Sequence, residues 1–127
     1  MVNVPLGGGE ITEGIVGNPR FINPVLAFSD VDRDLIYLIY SGLMRKDADG
    51  ALIPDLAQSY QVSPDGLVYT FTLKDKIYFH DGEPVKTSDV LFTINKIKDP
   101  IIKSPRKGNW DGVNVEIVDE KNITFTL

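Results

Sequence analysis

The chain has 127 residues, a length typical of one domain, and its 43% hydrophobic and 24% charged content is ordinary for a globular protein. The formal net charge of −5 argues against nucleic acid as a partner, because binding a phosphate backbone requires basic patches. The absence of cysteine and the single histidine exclude disulfides, thiolate metal sites, a cysteine nucleophile and any multi-histidine metal site. No motif points to another metal site or to a cofactor, and we expect neither.

The first third of the chain predicts a flexible start, one strand and one long helix. Residues 1–9 end in three glycines and are expected to form a flexible lead-in. Polar and apolar residues alternate over residues 10–16, which predicts a strand. Apolar residues recur at helical spacing over residues 30–43, with Ser29 or Asp30 as the cap. So wide an apolar face is expected to pack against a large surface.

The remaining sequence predicts two hairpins and a second helix. Residues 58–62 and 67–73 alternate as strands around the turn Ser63-Pro64-Asp65-Gly66, and residues 113–118 and 123–127 form the last hairpin. A helix is predicted over residues 88–98, with Thr87 as its cap and Asp99-Pro100 as its end. The predicted class is therefore α+β, with mixed or antiparallel hairpins and two main helices.

Two short motifs invite a chemical interpretation, and a structural one explains each better. His80-Asp81 has the residue types of a catalytic pair, but neighbours in a turn rarely point at one another and no serine motif accompanies them. Asp47-Ala48-Asp49-Gly50 has the start of a calcium loop but lacks the third oxygen ligand and the closing glutamate. Both motifs are predicted to be turns.

A set of short motifs occurs in one order and spacing along residues 9–127. The motifs are Asn23-Pro24, Tyr40-Ser41-Gly42-Leu43, Pro54-Asp55-Leu56-Ala57, Ser63-Pro64-Asp65-Gly66, Tyr69-Thr70-Phe71-Thr72-Leu73-Lys74, Phe79-His80-Asp81-Gly82-Glu83-Pro84-Val85, Ser88-Asp89-Val90, Asp99-Pro100 and Ser104-Pro105. Together they resemble the N-terminal part of the bacterial extracellular solute-binding proteins of family 5, the peptide- and nickel-binding subunits of ABC importers. Lys76 is a departure, since the family usually has glycine or asparagine in that turn.

The resemblance implies that this chain is the opening portion of the first lobe of a two-lobed α/β clamp. The pattern also ends inside a predicted strand, from which we likewise expect a piece of a longer protein. Such proteins lie outside the cytoplasmic membrane, in the periplasm or lipid-anchored, and deliver a peptide or other small solute to an ABC permease without catalysing a reaction. No signal-peptide pattern follows Met1, and no apolar run approaches the roughly 18 residues of a membrane span.

The resemblance also implies which residues face the solute. In peptide-binding relatives, the stretch after Asn-Pro and the loop after Ser-Pro line the cleft. In this chain those positions are Ala27, Phe28, Ser29, Asp30 and Arg106. Relatives often have an aromatic residue where Arg106 stands, and a basic side chain there favours an acidic group on the solute. Trp110 is a further candidate from the residues alone, because it lies in an irregular segment, where binding residues concentrate.

Two other functions remain open at this point. A hydrolase could use Asp81 or the acidic first turn at Asp30, although the sequence shows no nucleophile–base pair and no metal cluster. A stand-alone β-rich interaction module could pair its strand edges over residues 113–127 with a second chain. Turnover of a substrate would indicate the hydrolase, and a dimer in solution would indicate the module.

Overall fold

The computed structural model describes residues 8–127, which form two α-helices and six strands. The helices are α1 (Asp30–Ile39) and α2 (Thr87–Lys98), and a short 3-10 helix spans Lys107–Asn109. The strands are β1 (Met44–Lys46), β2 (Leu52–Pro54), β3 (Ala57–Val62), β4 (Val68–Leu73), β5 (Asn114–Ile117) and β6 (Asn122–Thr126). The α+β class is confirmed. The predicted lead-in at residues 1–9 lies outside the described residues, apart from Gly8 and Gly9.

The strands form two antiparallel sheets. β1 pairs with β2, and the second sheet has the order β3-β4-β6-β5, with Phe71 of β4 opposite Ile123 of β6. Ile94 and Ile97 of α2 form the buried core with Ile123 and Phe125 of β6. The two predicted hairpins, β3–β4 and β5–β6, and the predicted second helix are confirmed in the structure.

The helix α1 is shorter than the sequence predicts, because it ends at Ile39 rather than at residue 43. The Gly42 carbonyl accepts the N–H of Leu56, and the Leu43 carbonyl accepts those of Asp55 and Ala57. These bonds commit the backbone after Ile39 to an extended course, which a continuing helix could not follow. The same segment leads into the β1–β2 hairpin, which was not predicted from the sequence.

The strand predicted over residues 10–16 does not form. Residues 10–16 are exposed and belong to no regular element, and Ile11 and Val16 are 93% and 100% exposed. Alternation alone does not make a strand, since a strand is stable only beside a partner that accepts its hydrogen bonds and covers its apolar face.

The predicted cap of α2 is also wrong. Thr87 is the first residue of the helix and is buried, and its hydroxyl donates to the Asp119 carbonyl at 2.6 Å. Lys86 precedes the helix, and its backbone N–H donates to the Asp89 carboxylate at 2.8 Å. Thr87 therefore ties α2 to the β5–β6 turn instead of capping the helix.

Neither helix of the described residues is long and apolar enough to cross a membrane. Helix α1 buries Val31 and Asp32, whereas Tyr37 and Leu38 are 63% and 72% exposed. The broad apolar face predicted for this helix is present, but within residues 8–127 much of it is uncovered.

Candidate functional site

Two segments that were predicted separately to face a ligand are joined in the structure. The Ser104 hydroxyl, on a residue that is 6% exposed, donates to the Val25 carbonyl at 2.6 Å. Arg106 Nε donates to the Pro24 carbonyl at 3.1 Å. Residues 24–25 and 104–106 therefore meet through these two hydrogen bonds, although about 80 residues separate them in the chain.

The Asn23-Pro24 motif forms a turn that leads into the first of these segments. The Asn23 side-chain oxygen accepts the N–H of Val25 at 2.9 Å, and its carbonyl accepts those of Leu26 and Ala27 at 3.0 and 2.9 Å. Asparagine favours such a turn because its side chain bonds to the backbone two residues further on. The turn brings Ala27 to the start of α1.

Four predicted site residues follow this turn, and the structure gives them different roles. Ala27 is buried at 3% exposure, whereas Phe28 is 75% exposed. Ser29 caps α1, because its hydroxyl accepts the N–H of Asp32 at 3.2 Å. Asp30 is exposed and forms an ion pair with Arg33 of the same helix. Phe28 therefore offers the largest apolar surface of the four to a ligand.

Asp32 holds the whole segment in place, a role that was not predicted from the sequence. Its side chain is completely buried, and its Oδ1 accepts the backbone N–H groups of Arg20 and Phe21 at 2.8 and 3.2 Å. Its Oδ2 accepts those of Phe28 and Ser29, both at 3.2 Å. Burial alone would raise the pKa of this carboxyl, but the four backbone donors outweigh burial and hold the pKa well below the usual aspartate range.

A sequence signal for Asp32 does exist. Ser29 and Asp32 have the spacing of a capping box, in which the helix cap and the residue three positions later bond to each other's backbone N–H. This spacing accounts for the bond to Ser29, but not for the bonds to Arg20 and Phe21, because those residues lie in an irregular loop that no periodicity describes.

Arg106 makes one hydrogen bond within the structure and has further N–H donors that a ligand could use. Its Nε bond to Pro24 is the one side-chain hydrogen bond it makes with residues 8–127, and the residue is half-buried. A guanidinium has five N–H donors in a planar fork that fits a carboxylate. Arg106 can therefore fix the Asn23-Pro24 turn and still donate to an acidic group.

Trp110 lies in a different environment from the other candidates. Its ring packs against Phe125 of the core, with centroids 5.9 Å apart, and lines an open, mainly apolar cavity of about 390 Å³. Leu43, Tyr69, Phe71 and Val113 are also among the lining residues. Trp110 thus contributes to the core and also presents part of its surface to a space that an apolar group could enter.

The two motifs set aside in the sequence form turns. The Asp81 carboxylate accepts the N–H of Glu83 at 3.1 Å, and the Asp47 carboxylate accepts those of Asp49 and Ala51 at 3.0 and 2.8 Å. Within residues 8–127, no three histidine, cysteine or acidic side chains are grouped as a metal ion would require.

Comparison with known proteins identifies what the chain is similar to. The sequence profile described as "Bacterial extracellular solute-binding proteins, family 5 Middle" matches residues 51–127. The oligopeptide-binding protein AppA of Bacillus subtilis (strain 168) is 32% identical over 124 residues, which cover 97% of this chain and 23% of AppA.

Solved structures agree with the sequence comparison. The ABC transporter substrate-binding protein CtaP of Listeria monocytogenes has a TM-score of 0.78 and 40% identity, over 89% of this chain and 23% of CtaP. NikZ of Campylobacter jejuni, solved in complex with Ni(L-His), has a TM-score of 0.79 and 37% identity, over 87% of this chain and 22% of NikZ. The chain therefore spans less than a quarter of the length of each of these relatives.

Proposed function

Because the chain belongs to the bacterial extracellular solute-binding proteins of family 5, we propose that it is part of the solute-capturing component of an ABC importer. In this proposal residues 8–127 are the opening portion of the first lobe of a two-lobed clamp, which closes on its solute by a hinge. The clamp lies outside the cytoplasmic membrane, in the periplasm or lipid-anchored, and delivers the solute to a permease. It catalyses no reaction.

The observation that carries this proposal is the junction between residues 24–25 and residues 104–106. The hydrogen bonds from Ser104 and Arg106 to the Val25 and Pro24 carbonyls hold the two segments together before any solute binds. A surface fixed before binding loses little conformational entropy when a solute arrives, which favours affinity. Phe28 is 75% exposed three residues after Val25, and it is proposed to supply an apolar contact to the solute.

A peptide is the solute class that we propose. AppA is named as an oligopeptide-binding protein, and 97% of the present chain aligns with part of it. Ser29 and Asp30 offer hydrogen-bonding groups next to Phe28, and Arg106 is proposed to receive an acidic group of the peptide. Trp110 is proposed to contact an apolar side chain at the edge of its cavity.

The test is a calorimetric titration of the complete protein with synthetic oligopeptides, in pairs that differ by one carboxylate or its amide. We expect submicromolar binding, with the acidic member of each pair bound more tightly. Phe28→Ala should weaken binding about tenfold, since an exposed aromatic contact to the solute is lost. Phe92→Ala is the matched control, because Phe92 is 62% exposed but lies on α2. Equal losses of peptide affinity in both variants, or no loss in either, would exclude Phe28 from the site.

A strand-edge dimer is the alternative that the sheet order keeps open. β3 and β5 are the outer strands of the four-stranded sheet within residues 8–127, and an outer strand has backbone groups available for pairing. A concentration-dependent dimer of the complete protein, seen by analytical ultracentrifugation, would favour this assembly role. A monomer that binds peptide would favour the clamp.

A further inference from the structure

The Asp32 carboxylate has no capacity left for a ligand. An ionised carboxylate offers about four lone-pair directions, and here four backbone N–H groups occupy them, two on each oxygen. The side chain is completely buried, so no solute can reach it. Whatever Asp32 contributes to recognition must therefore act through the residues that it holds.

The residues that Asp32 holds are the two ends of one loop. Oδ1 binds Arg20 and Phe21 before the Asn23-Pro24 turn, and Oδ2 binds Phe28 and Ser29 after it. One carboxylate thus closes a loop of ten residues, 20–29, whose far side is tied to residues 104–106. Closing such a loop costs conformational entropy. The hydrogen bonds to Asp32 offset this cost when the chain folds, so it does not reduce the affinity for a solute.

From this arrangement we propose that Asp32 is a positioning residue for solute recognition, which fixes Phe28 and Ser29 in their binding conformation without touching the solute. The inference rests on the proposed function, because it takes residues 27–30 as part of the solute surface. It adds a residue that contacts no ligand to the set that determines affinity.

Asparagine in this position is a sharp test, because it has nearly the same shape but one acceptor oxygen instead of two. In Asp32→Asn the amide nitrogen must face either the Arg20 and Phe21 donors or the Phe28 and Ser29 donors. Either orientation leaves two backbone N–H groups opposite another donor, which releases one end of the loop.

The experiment titrates the complete protein with a mixed-sequence synthetic oligopeptide pool at a temperature where circular dichroism shows every variant folded. We expect Asp32→Asn to weaken binding at least tenfold. The control is the same substitution in the β5–β6 turn, Asp119→Asn, because both backbone N–H groups that Asp119 accepts, at 2.8 Å each, donate to one oxygen, which asparagine retains. This control should keep its affinity for the peptides.

Hydrogen exchange of the unaltered protein supplies a second readout that does not depend on any variant folding. The amides of Phe28 and Ser29 should be protected before peptide is added and gain little protection afterwards. Free exchange without peptide, followed by protection with it, would overturn the proposal, as would an Asp32→Asn protein that binds within twofold of the original. If the unaltered protein binds no peptide and no Ni(L-His), the proposed function fails instead, whatever the exchange shows.

Discussion

At the scale of single residues, the Asp32 carboxylate holds both ends of the loop of residues 20–29 by hydrogen bonds. It is a charge placed out of contact with water, and a charge there is stable only when hydrogen bonds replace its hydration. Four backbone donors do so and lower its pKa below that of an aspartate in an unfolded chain. The folded state therefore binds fewer protons than the unfolded state once the pH approaches the unfolded aspartate pKa of about 3.9.

A pH dependence of stability follows from this shift. The contribution of Asp32 to the free energy of unfolding is fully present above about pH 5. It is lost as the pH falls through the aspartate range towards the lowered pKa of this carboxyl. We expect the free energy of unfolding, from urea titrations at several pH values, to fall steeply below pH of about 4. Asp32→Asn should be less stable at pH 7 and show a shallower fall. A variant whose slope equals that of the original protein would show that Asp32 is not the group responsible.

Lys76 is a second residue whose backbone sets its energetic role. Its φ of +56° lies in the left-handed region, which glycine adopts without strain and a residue with a Cβ does not. The family resemblance implies glycine or asparagine in this turn. The conformation is therefore retained in this chain at some cost in stability.

Glycine at position 76 should relieve that cost. We expect Lys76→Gly to raise the free energy of unfolding by about 0.5–1 kcal/mol, measured by urea denaturation. The matched control is Lys96→Gly inside α2, which should lower stability by about 1 kcal/mol because glycine disfavours a helix. A loss in both variants would contradict the assignment of strain to position 76.

At the scale of elements, the segment after α1 is the point where local preference and tertiary structure disagree. The apolar periodicity continues past Ile39, yet the Gly42 and Leu43 carbonyls bond to residues 55–57. A Cβ on Gly42 would lie 2.9 Å from the Met44 carbonyl oxygen, which is closer than side-chain atoms approach backbone. Glycine at this position therefore permits the path from α1 into β1.

A methyl group at position 42 should disturb that path. We expect Gly42→Ala to destabilise the protein by about 1–3 kcal/mol, the range for an overpacked site, by thermal and urea unfolding. Gly108→Ala is the control, since an added Cβ there meets nothing within 4 Å, and its change should stay within about 0.5 kcal/mol. Equal effects of the two substitutions would mean that the close approach at Gly42 is not limiting.

The elements also show which sequence patterns were sufficient for prediction. The β3–β4 hairpin was predictable because Ser63-Pro64-Asp65-Gly66 specifies its turn locally, and the structure forms the turn with Gly66 at a φ of +74°. The β1–β2 hairpin was not predictable, because strands of three residues are too short to show an alternation of polar and apolar residues. The strand predicted at residues 10–16 failed since alternation does not specify a partner.

Some features of the candidate site could likewise be predicted from the sequence, and others could not. Resemblance to the family pointed to Phe28 and Arg106, and their role in binding stays a prediction. The junction of residues 24–25 with residues 104–106 could not be derived from sequence, because long-range contacts leave no local pattern. Only the Ser29–Asp32 spacing gave a local indication of the bonds that hold the first segment.

At the scale of the whole molecule, α1 leaves part of its apolar face uncovered. Tyr37 and Leu38 are exposed within residues 8–127, and the chain spans less than a quarter of AppA, CtaP and NikZ. In the proposed clamp, the remainder of the lobe covers this face and supplies the other side of the cleft. In the same proposal residues 8–127 carry one wall of the site, so we expect them to bind solute weakly or not at all by themselves.

The measurement that tests this account most directly is calorimetric titration of synthetic oligopeptides into the complete protein and, in parallel, into the isolated 127-residue chain. The account predicts one tightly bound peptide per molecule for the complete protein, with submicromolar affinity, and no binding of that strength for the isolated chain. Submicromolar binding by the isolated chain would contradict the clamp. A folded complete protein that binds neither peptide nor Ni(L-His) would contradict the proposed role in solute capture.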